Sequence, residues 1–311
     1  MTLQISSSNR RFTALGYGSC ALAGAFWGTG FFFGKIALRE MSSAHMVLYR
    51  FLFAVVGLSP VLVRHRPQLN RQEWRILLLA WFLGVPLQFL PQFAGLARTT
   101  VSHAALMVGT LPVVLALAAT VFAHERLDAG GWLLLAISTA GAVLIAFVSG
   151  SAGRSGDRPS IAGDSMIVVS LLISVAWILL NQHLLRRHSP LVITAWGLLC
   201  GTAMLAVWVF AVNGPPPIHI SLTAWLALAA SGLLCTASSS VLWNWGLTRV
   251  PASRAAVFLN LEPIIGSVLG ITLLGERLGA AGWVGGAMII LSAVTMSVRQ
   301  HGNLEPDRAI V

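Results

Sequence analysis

Charge is scarce in this chain, and where it interrupts apolar sequence it marks places where chemistry could occur. Glu262 is the one carboxylate well inside a long apolar run, beside Pro263. A charge at the centre of a membrane helix costs about 2.5–3.5 kcal/mol on insertion scales, so such a residue requires a reason. Two readings fit: a proton-coupling site or partner for a solute amine, and a structural acid that pairs with a base or caps a kink. Arg50 lies about one turn into the second apolar run. It could pair with Glu262, hold a solute carboxylate through two parallel N–H donors, or snorkel to the interface, the reading its depth favours. Lys35 near the end of the first run, and His103 and Arg254 at matching places in two later runs, read as gating residues or, more simply, as interfacial anchors.

Neutral polar groups at depth are Gln88, Gln92, Asn181, Asn244 and Asn260. Binding a solute is one use for them, and interhelical hydrogen bonding is the commoner one. Trp27 and Trp177 fall in mid-run, away from the interfacial belt where tryptophan is usual, and fit a cavity or core; Trp81 and Trp243 are further candidates for an apolar pocket wall. Cys20, Cys200 and Cys235 lie in apolar runs without metal-ligand or pairing spacing and read as small buried hydrophobes. There is no HExxH, GxSxG, Walker A sequence or intramembrane Asp pair, so neither catalysis nor ATP hydrolysis is expected, and nothing calls for a cofactor or metal.

The elements that carry these residues follow from composition. Of 311 residues, 56% are hydrophobic and 10% charged, with a mean hydropathy of +0.80. That is too little charge to clothe a water-soluble surface, so lipid is the solvent for most of the chain. Apolar runs long enough for a bilayer core about 30 Å thick predict ten helices, at 13–36, 45–63, 74–93, 99–122, 129–149, 163–183, 190–212, 222–243, 251–274 and 280–299. Pro86 and Pro91 are expected to kink the third. Arg10 and Arg11 precede the first run as in a signal peptide, but the weakly apolar Gly16 to Ser19 stretch and the continuation through Phe33 predict a retained span.

The net charge of +10 does not indicate nucleic acid, because the basic residues cluster at run ends without interleaved aromatics. With the N-terminus in the cytoplasm, twelve arginines fall on that side and five on the other, which predicts a multi-pass cytoplasmic-membrane protein with both termini inside.

The two halves repeat. At an offset of 151, Pro112 aligns with Pro263, Gly95 with Gly246, Arg98 with Arg249, Ser102 with Ser253, Glu125-Arg126-Leu127 with Glu276-Arg277-Leu278, and Gly131-Trp132 with Gly282-Trp283. Matching Leu or Ala would be compositional, whereas proline, Glu-Arg-Leu and Gly-Trp in one register indicate duplication. The predicted units are 13–149 and 163–299, with a linker at 150–162 and a tail at 300–311. Five spans per unit is odd, so the second unit enters the membrane from the opposite side, and the loops around Arg126 and Arg277 face opposite compartments. The fold class expected is an all-α membrane protein of ten transmembrane helices in two inverted five-helix repeats. Alternating-access transporters use this arrangement, with the solute site where the halves meet. A sensor or channel built on a duplicated bundle is the competing class. GxxxG spacings at Gly24/Gly28, Gly197/Gly201, Gly266/Gly270 and Gly282/Gly286 are candidate helix contacts.

Trp27-Gly28 followed by Lys35, Arg50-Phe51 in the second span, and the doubled sequence of proline, Glu-Arg-Leu and glycine resemble the drug/metabolite transporter superfamily, in its ten-span branch of two EamA-type domains. The resemblance runs from about 15 to 299. It departs at Ser42-Ser43, where that family often has proline, as Ser189-Pro190 provides in the second half. It implies ATP-independent export or exchange of a small metabolite, such as an amino acid, across a cytoplasmic membrane, with lipid as surroundings; protons would enter as a coupling ion on the functional reading of Glu262.

Overall fold

The computed structural model describes residues 2–98, 108, 111–122, 127–150, 161–274 and 280–302, all but short connections of them helical. The helices are α1 (Thr2–Ala37), α2 (Ser43–Arg64), α3 (Arg71–Leu96), α4 (Leu111–Phe122) and α5 (Ala129–Gly150) in the first half. In the second half they are α6 (Ile161–Leu185), α7 (Pro190–Asn213), α8 (Leu222–Leu247), α9 (252–274) and α10 (Ala280–Gly302). Six helices among the described residues are individually long and apolar enough to cross a membrane, namely α1, α2, α3, α6, α7 and α8. Val63, Val207, Leu222 and Trp283 stand on the outside of the bundle more than two-thirds exposed, which only an apolar solvent tolerates on this scale. Among the described residues the chain is an all-helical membrane protein of ten helices in two duplicated halves.

Helix starts show how local sequence sets the elements. Ser42 caps α2 by accepting from the His45 N–H at 3.3 Å, so a serine serves here to start the helix. Pro190 opens α7 as its first residue, where a missing N–H costs nothing. Asn70 and Glu73 form a capping box on α3. Ser221, 151 positions after Asn70, caps α8 through Ala224 N–H at 3.1 Å. Each of these two caps is tied to the loop between the first two helices of the other half. Glu73 Oε1 lies 3.0 Å from His188 Nε2, and Glu40 accepts from Ser221 N–H at 2.7 Å and from its hydroxyl.

Packing repeats the pseudo-symmetry helix by helix. The pair α2 and α7 and the pair α5 and α10 are self-equivalent, while α1 on α8 matches α6 on α3, and α1 on α9 matches α6 on α4. Lipid supplies no hydrophobic drive between helices, so close backbone approach matters. Gly28 provides it: a Cβ there would stand 2.7 Å from the Glu262 carbonyl oxygen and 2.8 Å from Ile265 Cβ, and Gly24 one turn earlier would strike the Phe258 carbonyl. Gly197 and Gly201 do the same for α7 against Trp81 and Val85 of α3. Gly266 has only ordinary contact, and Gly286 faces open space.

Three helices predicted as continuous change their winding. The π-turn Leu83–Leu87 interrupts α3 and Leu233–Ser238 interrupts α8. Pro86, lacking an N–H, accounts for the first. In the second, hydroxyls take up the loosened carbonyls: Thr236 Oγ1 donates to Ser231 O at 3.0 Å and Ser239 Oγ to Cys235 O at 2.7 Å. Helix α9 runs as Ala252–Ala255, a 3-10 stretch Ala256–Asn260, and Leu261–Leu274.

Candidate functional site

The changes of winding surround a cavity at the seam of the two units. It has an empty volume of about 830 Å³ including its mouth, and is bordered by α1, α2, α3, α6, α7, α8 and α9 together with Val108 and Leu111. Seven candidate residues meet there: Arg50, Glu262, Trp27, Trp81, Trp177, Gln88 and Gln92. Glu262 sits where the 3-10 stretch of α9 passes into Leu261–Leu274. Its repeat partner, Leu111, borders the same cavity. The acid is therefore a departure from the duplication at a position both halves present to the seam.

Arg50 does not snorkel. It is 3% exposed and reaches into the π-turn of α8, donating from Nε to Thr236 Oγ1 at 2.6 Å and from Nη2 to Cys235 O at 3.0 Å. The Phe89 and Phe93 rings lie 5.2 and 5.7 Å from its Cζ, within cation–π range. Depth along its helix pointed outward, but a partly freed carbonyl lay within reach inside, and a buried guanidinium goes where its donors are matched. Nη1 makes no hydrogen bond among the described residues, and no ion pair within 4.0 Å joins Arg50 to Glu262. A basic and an acidic side chain thus border one cavity without direct contact.

Aromatic rings complete the walls. Trp81 and Trp177 meet edge to face at 5.5 Å between centroids, and Trp177 is seated against Gly84 in the π-turn of α3. Trp27 borders the cavity and packs on Trp243 at 5.4 Å. Gln88 and Gln92 also border it.

The three asparagines stand elsewhere. Asn181 Nδ2 donates to Asn244 Oδ1 at 3.0 Å, and Asn244 Nδ2 to Thr194 Oγ1 at 2.7 Å. Asn260 donates to Ser138 Oγ at 2.9 Å. None borders the cavity; they join α6, α7 and α8, and α9 to α5, as interhelical polar contacts do. Lys35 is exposed in the last turn of α1, as an anchor would be, and Arg254 is half-buried in α9. His103, with the Glu125-Arg126 and Glu276-Arg277 pairs, lies outside the described residues. Thr236 and Ser240 on the cavity wall were not singled out from sequence, and Cys235 was read as a plain hydrophobe. The one available signal was the polar run from Cys235 to Ser240 in the middle of an apolar span.

Known proteins give the same picture at the level of family and fold. The model of the EamA-like transporter family matches residues 14–147 and again 161–298. A protein of Archaeoglobus fulgidus described as an uncharacterized transporter is 27% identical over 289 residues, 90% of this chain and 96% of its own length. The uncharacterized transporter YoaV of Bacillus subtilis is 23% identical over 282 residues, 87% of this chain and 92% of its own. A protein crystal structure superposes with a TM-score of 0.74 at 17% identity, covering 93% of this chain and 98% of that one.

Proposed function

Because the chain belongs to the EamA-like transporter family, we propose that this membrane transporter is a secondary exporter of a small metabolite, an amino acid or related solute. It works by alternating access without ATP, in a bacterial-type cytoplasmic membrane with both termini in the cytoplasm. The observation that carries the reading is the seam cavity in which Arg50 and Glu262 stand unpaired with each other among aromatic walls. An exporter of zwitterions needs both charges: the guanidinium takes a carboxylate and the carboxylate takes an amine, while rings cover the apolar part. Glu262 also serves proton coupling, since a carboxylate that gains a proton as the solute leaves links the two fluxes. The inverted repeat supplies the mechanism: two packings exchange roles about the seam, exposing the cavity to each side in turn.

The test is counterflow in proteoliposomes, with solutes chosen by comparing the medium of cells with and without the protein. Saturable counterflow of an amino-acid-like solute is expected. Non-saturable flux would make the protein a channel, and the absence of any solute difference together with absent counterflow would sink the transport reading.

A further inference from the structure

We propose that Thr236 is a positioning residue for solute recognition, holding Arg50 so that its free edge forms a carboxylate seat on the cavity wall. The inference rests on the export reading above and adds how that site is built. It begins with the winding of α8. The Ser239 N–H bonds Leu234 O and Thr236 O, passing over the Cys235 carbonyl that an α-helix would have paired with it. That carbonyl instead accepts Arg50 Nη2 at 3.0 Å, alongside Ser239 Oγ at 2.7 Å. The Thr236 hydroxyl spends its only hydrogen on Ser231 O at 3.0 Å, so towards Arg50 it can act only as an acceptor, and it takes Nε at 2.6 Å. Two of the three guanidinium nitrogens are thereby fixed on one side, and Nη1 is left for the cavity.

The other half shows what is specific. Its π-turn repeats the device, since the Gln88 N–H bonds Leu83 O and Val85 O and passes over Gly84, which is 151 positions before Cys235. There Trp177 packs on the Cα side of Gly84, and no arginine takes the place of Arg50. The position 151 after Arg50 is Gly201. Duplication thus made two π-turns at the seam, and one of them became a cation holder. Among the described residues Arg50 is the one cation on the cavity wall, which gives a zwitterion one orientation there.

The experiment uses full-length protein in proteoliposomes, with counterflow of each of the common L-amino acids and, for every one carried, its carboxamide. The amide keeps the amine and side chain but removes the carboxylate. Wild type is expected to favour acid over amide in kcat/KM. Thr236→Val, which keeps the shape but loses the hydroxyl, is expected to lower that preference about tenfold, in KM more than in kcat, and Thr236→Ser to restore it. Thr236→Ala is the second variant should valine not fold. An unchanged acid-to-amide ratio in a folded Thr236→Val or Thr236→Ala protein overturns the inference while leaving the export reading intact. A wild type that carries amino acids without preferring acids over amides also overturns it. A wild type that carries none of the panel overturns the amino-acid reading first, and the seat with it.

Discussion

The Nη2 atom of Arg50 lies 3.0 Å from the carbonyl oxygen of Cys235, an acceptor exposed to it by the π-turn of the neighbouring helix. A flexible cation is held there by backbone, so the site does not depend on a matching acid. The pairing also explains how Arg50 and Glu262 can share a cavity and still each retain capacity for a ligand.

Arg50→Lys tests the geometry apart from the charge. Lysine keeps the positive charge but has neither the planar fork nor the reach to serve Thr236 and Cys235 together. Solute kcat/KM in counterflow should fall about ten- to a hundredfold. Wild-type kinetics in Arg50→Lys would show that charge alone suffices.

Glu262→Gln should abolish proton-driven accumulation and raise the KM of downhill counterflow without abolishing it, because the amide keeps the shape but loses both the exchangeable proton and the charge that takes the solute amine. Accumulation against a gradient at the wild-type rate in this variant would remove Glu262 from the coupling step.

Gly28→Ala should lower the thermal midpoint in detergent, with a cost of about 1–3 kcal/mol, since the new methyl meets the Glu262 carbonyl and Ile265 Cβ. Gly18→Ala on the same helix, where nothing stands within 4 Å, should be neutral or stabilise by about 0.5–1 kcal/mol. Equal effects at the two positions would mean that the α1–α9 approach is not tight.

Glu40, outside the spans, has its pKa lowered by accepting hydrogen bonds from the Ser221 hydroxyl and N–H. A depressed carboxylate stabilises the fold above its ordinary pKa, and that contribution is lost as pH falls through the lowered value. Wild type should therefore unfold at a higher temperature than Glu40→Gln at about pH 7, with the difference shrinking as pH falls below the ordinary carboxylate range. A difference that grows on acidification would contradict the assignment.

Topology can be read with a membrane-impermeant maleimide on a Cys200→Ser background. A cysteine at exposed Arg66 should label only from the cytoplasmic side, and one at exposed Ile218 only from the outside. Labelling of both from one side would end the inverted arrangement, and with it alternating access by exchange of halves.

Much of this was readable in the chain itself. The apolar runs, their punctuation by caps and prolines, and the offset of 151 are local or covalent facts, and they led to ten spans, two units and the isolation of Glu262. What the linear order left open was which way each helix faces. In lipid the outward face of a helix is as apolar as the buried one, so periodicity does not mark the side that meets the seam. For that reason Asn181, Asn244 and Asn260 looked as eligible as Arg50, although packing turned them into helix-to-helix links. The same packing drew Arg50 inward onto Cys235 and Thr236, because a buried cation settles where loosened carbonyls can receive it. Spans, duplication and the charged residues belong to the sequence; helix rotation, and the seat that rotation assembles, came only with the tertiary structure.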